Sequence, residues 1–133
     1  MTQGKRIAFR ILFFLYVAAV LLLCFGRFDN APSVAKTLLG IPTDKVVHFV
    51  MFFPFPILAF LAFDQFTDSI KSSLLFTGAT FLVGILLALG TEWGQAHLTR
   101  YRSGDAWDLL ADTIALTISS LIVLFRDIYK QKR

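Results

Sequence analysis

The sequence predicts an all-α membrane protein, a bundle of four transmembrane helices with both termini on the cytoplasmic side. Three observations predict it. Apolar residues make up 56% of the 133 residues, and the mean hydropathy is +0.69. Four apolar runs, 7–26, 46–63, 74–91 and 109–125, hold 20, 18, 18 and 17 residues, close to the ~20 that a bilayer span needs. The charged residues gather between and beyond these runs. One soluble core of this size cannot hide four such runs, whereas a bilayer can. Soluble enzyme, disordered chain and disulfide scaffold are excluded on these grounds, and residues 1–133 read as a single membrane domain.

The first run follows Lys5 and Arg6 and so mimics a secretory signal. It is longer than the roughly 7–15 residues of a signal core, and no A-x-A site follows it. It therefore reads as a retained helix. Cys24, the one cysteine, lies inside this run and reads as a packed thiol. Leu23 before it lacks the small side chain that a lipoprotein site requires.

The loop 27–45 contains Pro32 and Pro42, both read as turns, with a short amphipathic piece from Val34 to Leu39 lying on the membrane between them. Thr43 or Asp44 is expected to cap the second helix. That helix contains Pro54 and Pro56, which free the carbonyls of Val50 and Phe52 and predict a kink near mid-membrane. The third run carries Gly78, Gly84 and Gly90, with Gly94 four residues on. Small residues let helices approach closely in lipid, and packing within the chain is expected there rather than dimerisation. The fourth run carries an acidic stripe, Asp105, Asp108 and Asp112, on one helical face.

Charge sets the expected orientation. The head (Lys5, Arg6, Arg10), the loop 64–73 (Lys71) and the tail (Arg126, Lys130, Lys132, Arg133) share one side and bring eight positive charges. The loops 27–45 (Arg27, Lys36, Lys45) and 92–108 (Arg100, Arg102) bring five to the other. The positive-inside rule places the first side in the cytoplasm. Asp29, Asp44, Glu92, Asp105, Asp108 and Asp112 then fall on or near the outer side, as do Trp93 and Trp107. The inner side, with Asp64, Asp68 and Asp127, reads as plain anchoring. Arg10 is expected to snorkel to the inner face. No basic stripe with interleaved aromatics is present, so nucleic acid is not an expected partner.

Three polar clusters converge on the outer side. Asp44 and His48 are four apart and share a helix face. Glu92 and Gln95, three apart, share another. Arg102 precedes the Asp105, Asp108, Asp112 stripe. Ionisable groups near membrane depth cost about 2.5–3.5 kcal/mol each on insertion scales, so they are expected to face one another. Asp44, His48, Glu92, Arg102, Asp108 and Asp112 would form one pocket, with Arg102 holding one or two carboxylates. This pocket reads as a lock between helices, as a ligand site, or as a catalytic or metal site. For metal, His48 with Glu92 and one aspartate would suit zinc. There is no H-E-x-x-H motif, however, and neither metal nor cofactor is expected. His97 lies outside the stripe and reads as a solvated interface residue. No nucleophile is clearly placed. A continuous polar path for an ion or solute is not visible either.

The pattern Asp44-Lys45-x-x-His48-Phe49, then Glu92-x-x-Gln95, then Arg102-Ser103-x-Asp105-x-x-Asp108 resembles the VanZ-like family of small bacterial membrane proteins. The resemblance spans residues 44 to about 120. It implies a four-helix membrane fold, and the family's name implies a role in resistance to the glycopeptide teicoplanin. It also implies Asp44, Lys45, His48, Glu92, Gln95, Arg102, Asp105 and Asp108 as signature positions. The family often has Asn at the position of Asp112, followed by glycines spaced by four where this chain has Ala115 and Ser119. The expected function is non-enzymatic action on cell-envelope components at the outer face of the bacterial cytoplasmic membrane. Expected partners are the lipid bilayer and a lipid-linked cell-wall precursor or glycopeptide, and self-association stays open. The alternative is a membrane-embedded enzyme using Glu92, Asp108 and His48.

Overall fold

Four helical segments of the computed structural model are long and apolar enough to cross a membrane, which makes this a multi-pass membrane protein. The structure describes residues 1–27, 35–101 and 103–133. In chain order the elements are α1 (Gln3–Phe25), β1 (Thr37–Leu38), β2 (Ile41–Pro42), α2 (Thr43–Phe52), α3 (Pro54–Ala62), α4 (Ile70–Leu98) and α5 (Ala106–Lys132). A short 3-10 turn at Asp64–Phe66 links α3 to α4.

Every span is longer than the apolar run that predicts it. The run 74–91 lies within α4, which has 29 residues and so measures about 43 Å at 1.5 Å per residue. The hydrocarbon layer is ~30 Å thick. Hydropathy marks the lipid-embedded part, while the backbone ladder continues into the polar boundary. Glu92 and Gln95 accordingly sit in the last two turns of α4, beyond the apolar run.

The paired prolines act as expected. The second span breaks at Phe53 between α2 and α3. The Phe53 amide still bonds the Phe49 carbonyl at 3.0 Å. The Tyr16 hydroxyl of α1 donates to the Met51 carbonyl beside the break. Tyr16 thus ties α1 to the backbone beside the break.

Two expectations for the first loop are corrected. Residues 37–42 form an antiparallel hairpin, Thr37 opposite Pro42 and Leu38 opposite Ile41. Its turn is Leu39-Gly40, both at positive φ (51° and 80°), as a two-residue type I′ turn requires. The expected amphipathic piece therefore does not run on to Leu39; Pro32 and Val34 lie outside the described residues. Nor do Thr43 or Asp44 cap α2, whose N-cap is Pro42. The Thr43 amide bonds the Lys36 carbonyl at 3.0 Å, and its hydroxyl donates to the Ala35 carbonyl. Thr43 fastens the hairpin to α2 instead.

The core joins Val20 and Cys24 of α1, Phe52 and Phe55 at the α2–α3 break, Ala88 of α4, and Ala115 and Leu116 of α5. α5 packs on α2, α3 and α4, and α1 packs chiefly on α3. Gly84 permits the α4–α5 approach: a Cβ there would lie 2.7 Å from Leu116 Cδ2. Gly94 does the same for α1, where a Cβ would lie 2.5 Å from Phe25. Gly78 and Gly90 face open space. Close packing is intramolecular at Gly84 and Gly94, and of the Gly90/Gly94 pair only Gly94 takes part.

Candidate functional site

Three helix termini meet at one end of the bundle: the start of α2, the last turns of α4 and the start of α5. Asp105 starts α5 by accepting the Trp107 amide at 2.9 Å. This sets the stripe so that Asp108 and Asp112 face inward, 7% and 0% exposed. His48, one turn into α2, faces them and is 6% exposed.

Each side chain is held by a specific partner. His48 Nδ1 lies 3.0 Å from Asp112 Oδ1. His48 Nε2 lies 3.5 Å from Asp108 Oδ2. Glu92 Oε2 accepts the Asp105 amide at 2.8 Å. Its other oxygen, Oε1, is buried without a hydrogen-bond partner and lies 3.9 Å from His48 Nδ1. The Lys45 ammonium bonds Asp44 at 2.7 Å and also bonds Asp105 and Asp108.

The expected pocket is therefore partly right. His48, Glu92, Asp108 and Asp112 converge, from three helices. Asp44 sits exposed at the rim, held by Lys45, with a carboxylate oxygen within 4.8 Å of oxygens of Asp105 and Asp108. Gln95 is buried but belongs to another contact, donating to the Cys24 carbonyl at 2.9 Å and tying α4 to α1. Arg102 lies outside the described residues. Among the described residues the cation that holds several carboxylates is Lys45. His97 is exposed as expected, stacked on Trp93 and bonded to the Trp93 carbonyl at 2.9 Å.

Charge does not balance among the described residues. Five carboxylates (Asp44, Glu92, Asp105, Asp108, Asp112) face Lys45 and His48. Asp105, just outside the span, has its carboxyl held below the usual range by the Lys45 hydrogen bond and then by the Trp107 amide.

Two features escaped the sequence reading. Gly104 packs so closely that a Cβ would lie 3.0 Å from both the Glu92 carbonyl oxygen and Ala96 Cβ; the Ser-Gly-Asp preceding α5 was its signal. The second is an apolar groove of about 770 Å³ between the hairpin, α2 and α5. Leu38, Leu39, Phe49, Trp107 and Ile114 line it, and Lys45 stands on its wall. The spacing of Trp107, Leu110, Ala111 and Ile114 hinted at an apolar stripe beside the acidic one.

The opposite end is held by contacts of a structural kind. Arg6 bonds Asp64 at 2.6 Å, and Ser73, Asp127 and Gln131 form a small network. Arg10 reaches the end of α3, beside the 64–73 loop. It donates to the Ala62 carbonyl at 3.1 Å and stacks over Phe63.

Comparison with protein-family models, with curated proteins and with solved structures finds no match. Fold and site together define a multi-pass membrane protein with a buried acid–histidine cluster beside an apolar groove.

Proposed function

We propose that the chain is a VanZ-like protein of a bacterial cytoplasmic membrane, with both termini cytoplasmic. On this reading it binds an amphiphilic cell-envelope component at the outer face and so protects against a glycopeptide such as teicoplanin. One observation carries this reading: the apolar groove runs up to Lys45, which also belongs to the polar cluster. A lipid-linked precursor has the matching form, a long apolar chain joined to a polar head. The chain would lie along Phe49, Trp107 and Ile114, and the head would meet Lys45 and the carboxylates behind it. Burial of a few CH₂ groups supplies affinity, about 0.8 kcal/mol each. The polar end supplies orientation. The charge bias of eight basic residues against five supports the orientation.

Teicoplanin susceptibility in a sensitive Gram-positive host tests this, with vancomycin as control. The host expresses wild type, Glu92→Gln or Ala111→Trp at matched membrane abundance. Protection by wild type alone, chiefly against teicoplanin, supports the reading. Equal protection by all three, or by none, overturns it. A reporter fused at Gly104 that is active in the cytoplasm overturns the orientation.

The convergence of Glu92, Asp108 and His48 favours a second reading, a membrane-embedded enzyme acting on a lipid-linked envelope substrate. It expects Glu92→Gln to fold and to lose turnover of one lipid-linked species. Unchanged envelope lipids in that variant count against it.

A further inference from the structure

We infer that the cluster is a binding site for a divalent transition-metal ion of the zinc type, with His48, Glu92 and Asp108 as ligands and Asp112 as the residue that orients the histidine. A ring nitrogen of His48 and one oxygen from each of Glu92 and Asp108 lie within 4.8 Å of one another, all three residues buried. The donor set discriminates among ions. Magnesium and calcium take all-oxygen shells, whereas imidazole with carboxylates suits zinc and its neighbours.

The hydrogen bonds around the three residues are those a metal site needs. His48 Nδ1 lies 3.0 Å from Asp112 Oδ1; with Nδ1–H donating to that carboxylate, the lone pair is left on Nε2. Metal-bound histidines commonly donate their other ring N–H to a carboxylate in this way. Nε2 lies 3.5 Å from Asp108 Oδ2. Two ligands about 2.0–2.1 Å from a tetrahedral ion stand roughly 3.3 Å apart, so this pair is already set. Lys45 takes the other oxygen of Asp108.

Glu92 gives the independent sign. The residue is 8% exposed; its Oε2 is anchored by the Asp105 amide, and its Oε1 is buried with no partner. A buried carboxylate oxygen left so is costly. A cation removes that cost, and Oε1, which lies 3.9 Å from His48 Nδ1 and must swing to join Nε2 and Asp108, has no hydrogen bond to give up in doing so. The absence of an H-E-x-x-H motif argued against metal only because that motif draws both histidines from one helix. Here the donors come from α2, α4 and α5. Three protein ligands leave a fourth position for water or a bound head group.

This inference stands on the cluster's own geometry and does not require an occupied groove. The test uses the tag-free full chain in lipid nanodiscs, stripped of metal and titrated with Co²⁺ and with Zn²⁺. Wild type is expected to take up one ion per chain. Its Co²⁺ form should show tetrahedral d–d absorption with no thiolate charge-transfer band. His48→Ala and Glu92→Gln should lose stoichiometric uptake, and Asp112→Asn should bind about 10–100-fold more weakly. His97→Ala should bind as wild type does. Folded wild type that takes up no ion overturns the site, as does unchanged uptake by folded His48→Ala. Should His48→Ala not fold, the wild-type spectrum decides: weak octahedral bands overturn the site and tetrahedral bands support it. Ala111→Trp, with its groove filled, is expected to keep full uptake, so failure of the amphiphile reading and failure of the metal site show separately.

Discussion

Nδ1 of His48 lies 3.0 Å from Oδ1 of Asp112 and 3.3 Å from its Oδ2, and Asp112 has no exposed surface. The contact joins α2 to α5 where no solvent can replace a lost partner. Removing one side of a buried pair strands the other, at about 3–5 kcal/mol, whereas replacing both with apolar residues is often near neutral. We expect Asp112→Leu to be strongly destabilising and His48→Leu/Asp112→Leu to recover most of the loss. Unfolding in a denaturing detergent, run as a double-mutant cycle, measures this. Simple additivity of the two single variants would show that the residues do not act as a unit.

The membership of His48, Glu92, Asp108 and Asp112 in one cluster was legible because each is ionisable and lies in or beside an apolar run. Such residues must find one another in lipid. The partner of Lys45 was not legible. A lysine at a helix start has water as an alternative, so only the three-dimensional meeting of α2 and α5 decides that it bonds Asp105 and Asp108. The same holds for Gln95, whose acceptor is a carbonyl 71 positions away. The four spans were legible because hydropathy reports the lipid-embedded length. Their ends were not, because α4 and α5 continue as helices beyond the apolar runs. The hairpin at 37–42 was missed because neither two-residue strand is long enough to show an alternating pattern.

The glycines of α4 divide by what they face. At Gly84 an added methyl would meet Leu116 at 2.7 Å and Phe55 at 3.2 Å, whereas at Gly90 it would meet nothing within 4 Å. Overpacking a tight contact costs about 1–3 kcal/mol. Replacing a helical glycine in open space with alanine gains up to about 1 kcal/mol. Gly84→Ala should lower stability and Gly90→Ala should hold or raise it, in the same detergent unfolding assay. A destabilised Gly90→Ala would point to a contact between copies of the chain at that face.

Asp64 provides a pH test away from the cluster. Burial raises its pKa, but the Arg6 guanidinium, bonded at 2.6 Å, and the chain's N-terminal ammonium outweigh this and hold it below the usual carboxylate range. A carboxyl depressed in the folded state adds stability that is fully present above its unfolded value of about 3.9. That stability is lost as pH falls through the folded value. A partly exposed pair of this kind contributes under about 1 kcal/mol. Thermal unfolding of wild type and Asp64→Asn should therefore differ at pH 7 and converge at the acid end. A constant difference across the range would show that the carboxylate charge is not what stabilises.

Leu39 is 99% exposed and sits at φ 51°, a conformation that costs a residue with a Cβ roughly 1–2 kcal/mol. Nothing in the fold alone requires leucine there: the neighbouring Gly40 already supplies the second turn position, and a Cβ-free residue would fit both. What leucine adds is apolar surface at the lip of the groove, which it lines together with Leu38 and Ile41. We propose that the strain is kept for a contact that Leu39 makes outside the chain, at the lip of the groove. Leu39→Gly should therefore leave stability unchanged or raise it, while reducing photo-crosslinking to a lipid bearing a reactive group on its acyl chain. Leu39→Asn, which tolerates positive φ, should show the same loss of crosslinking. Full crosslinking in both variants would mean that the hairpin is a passive strap and that the groove takes nothing from its tip.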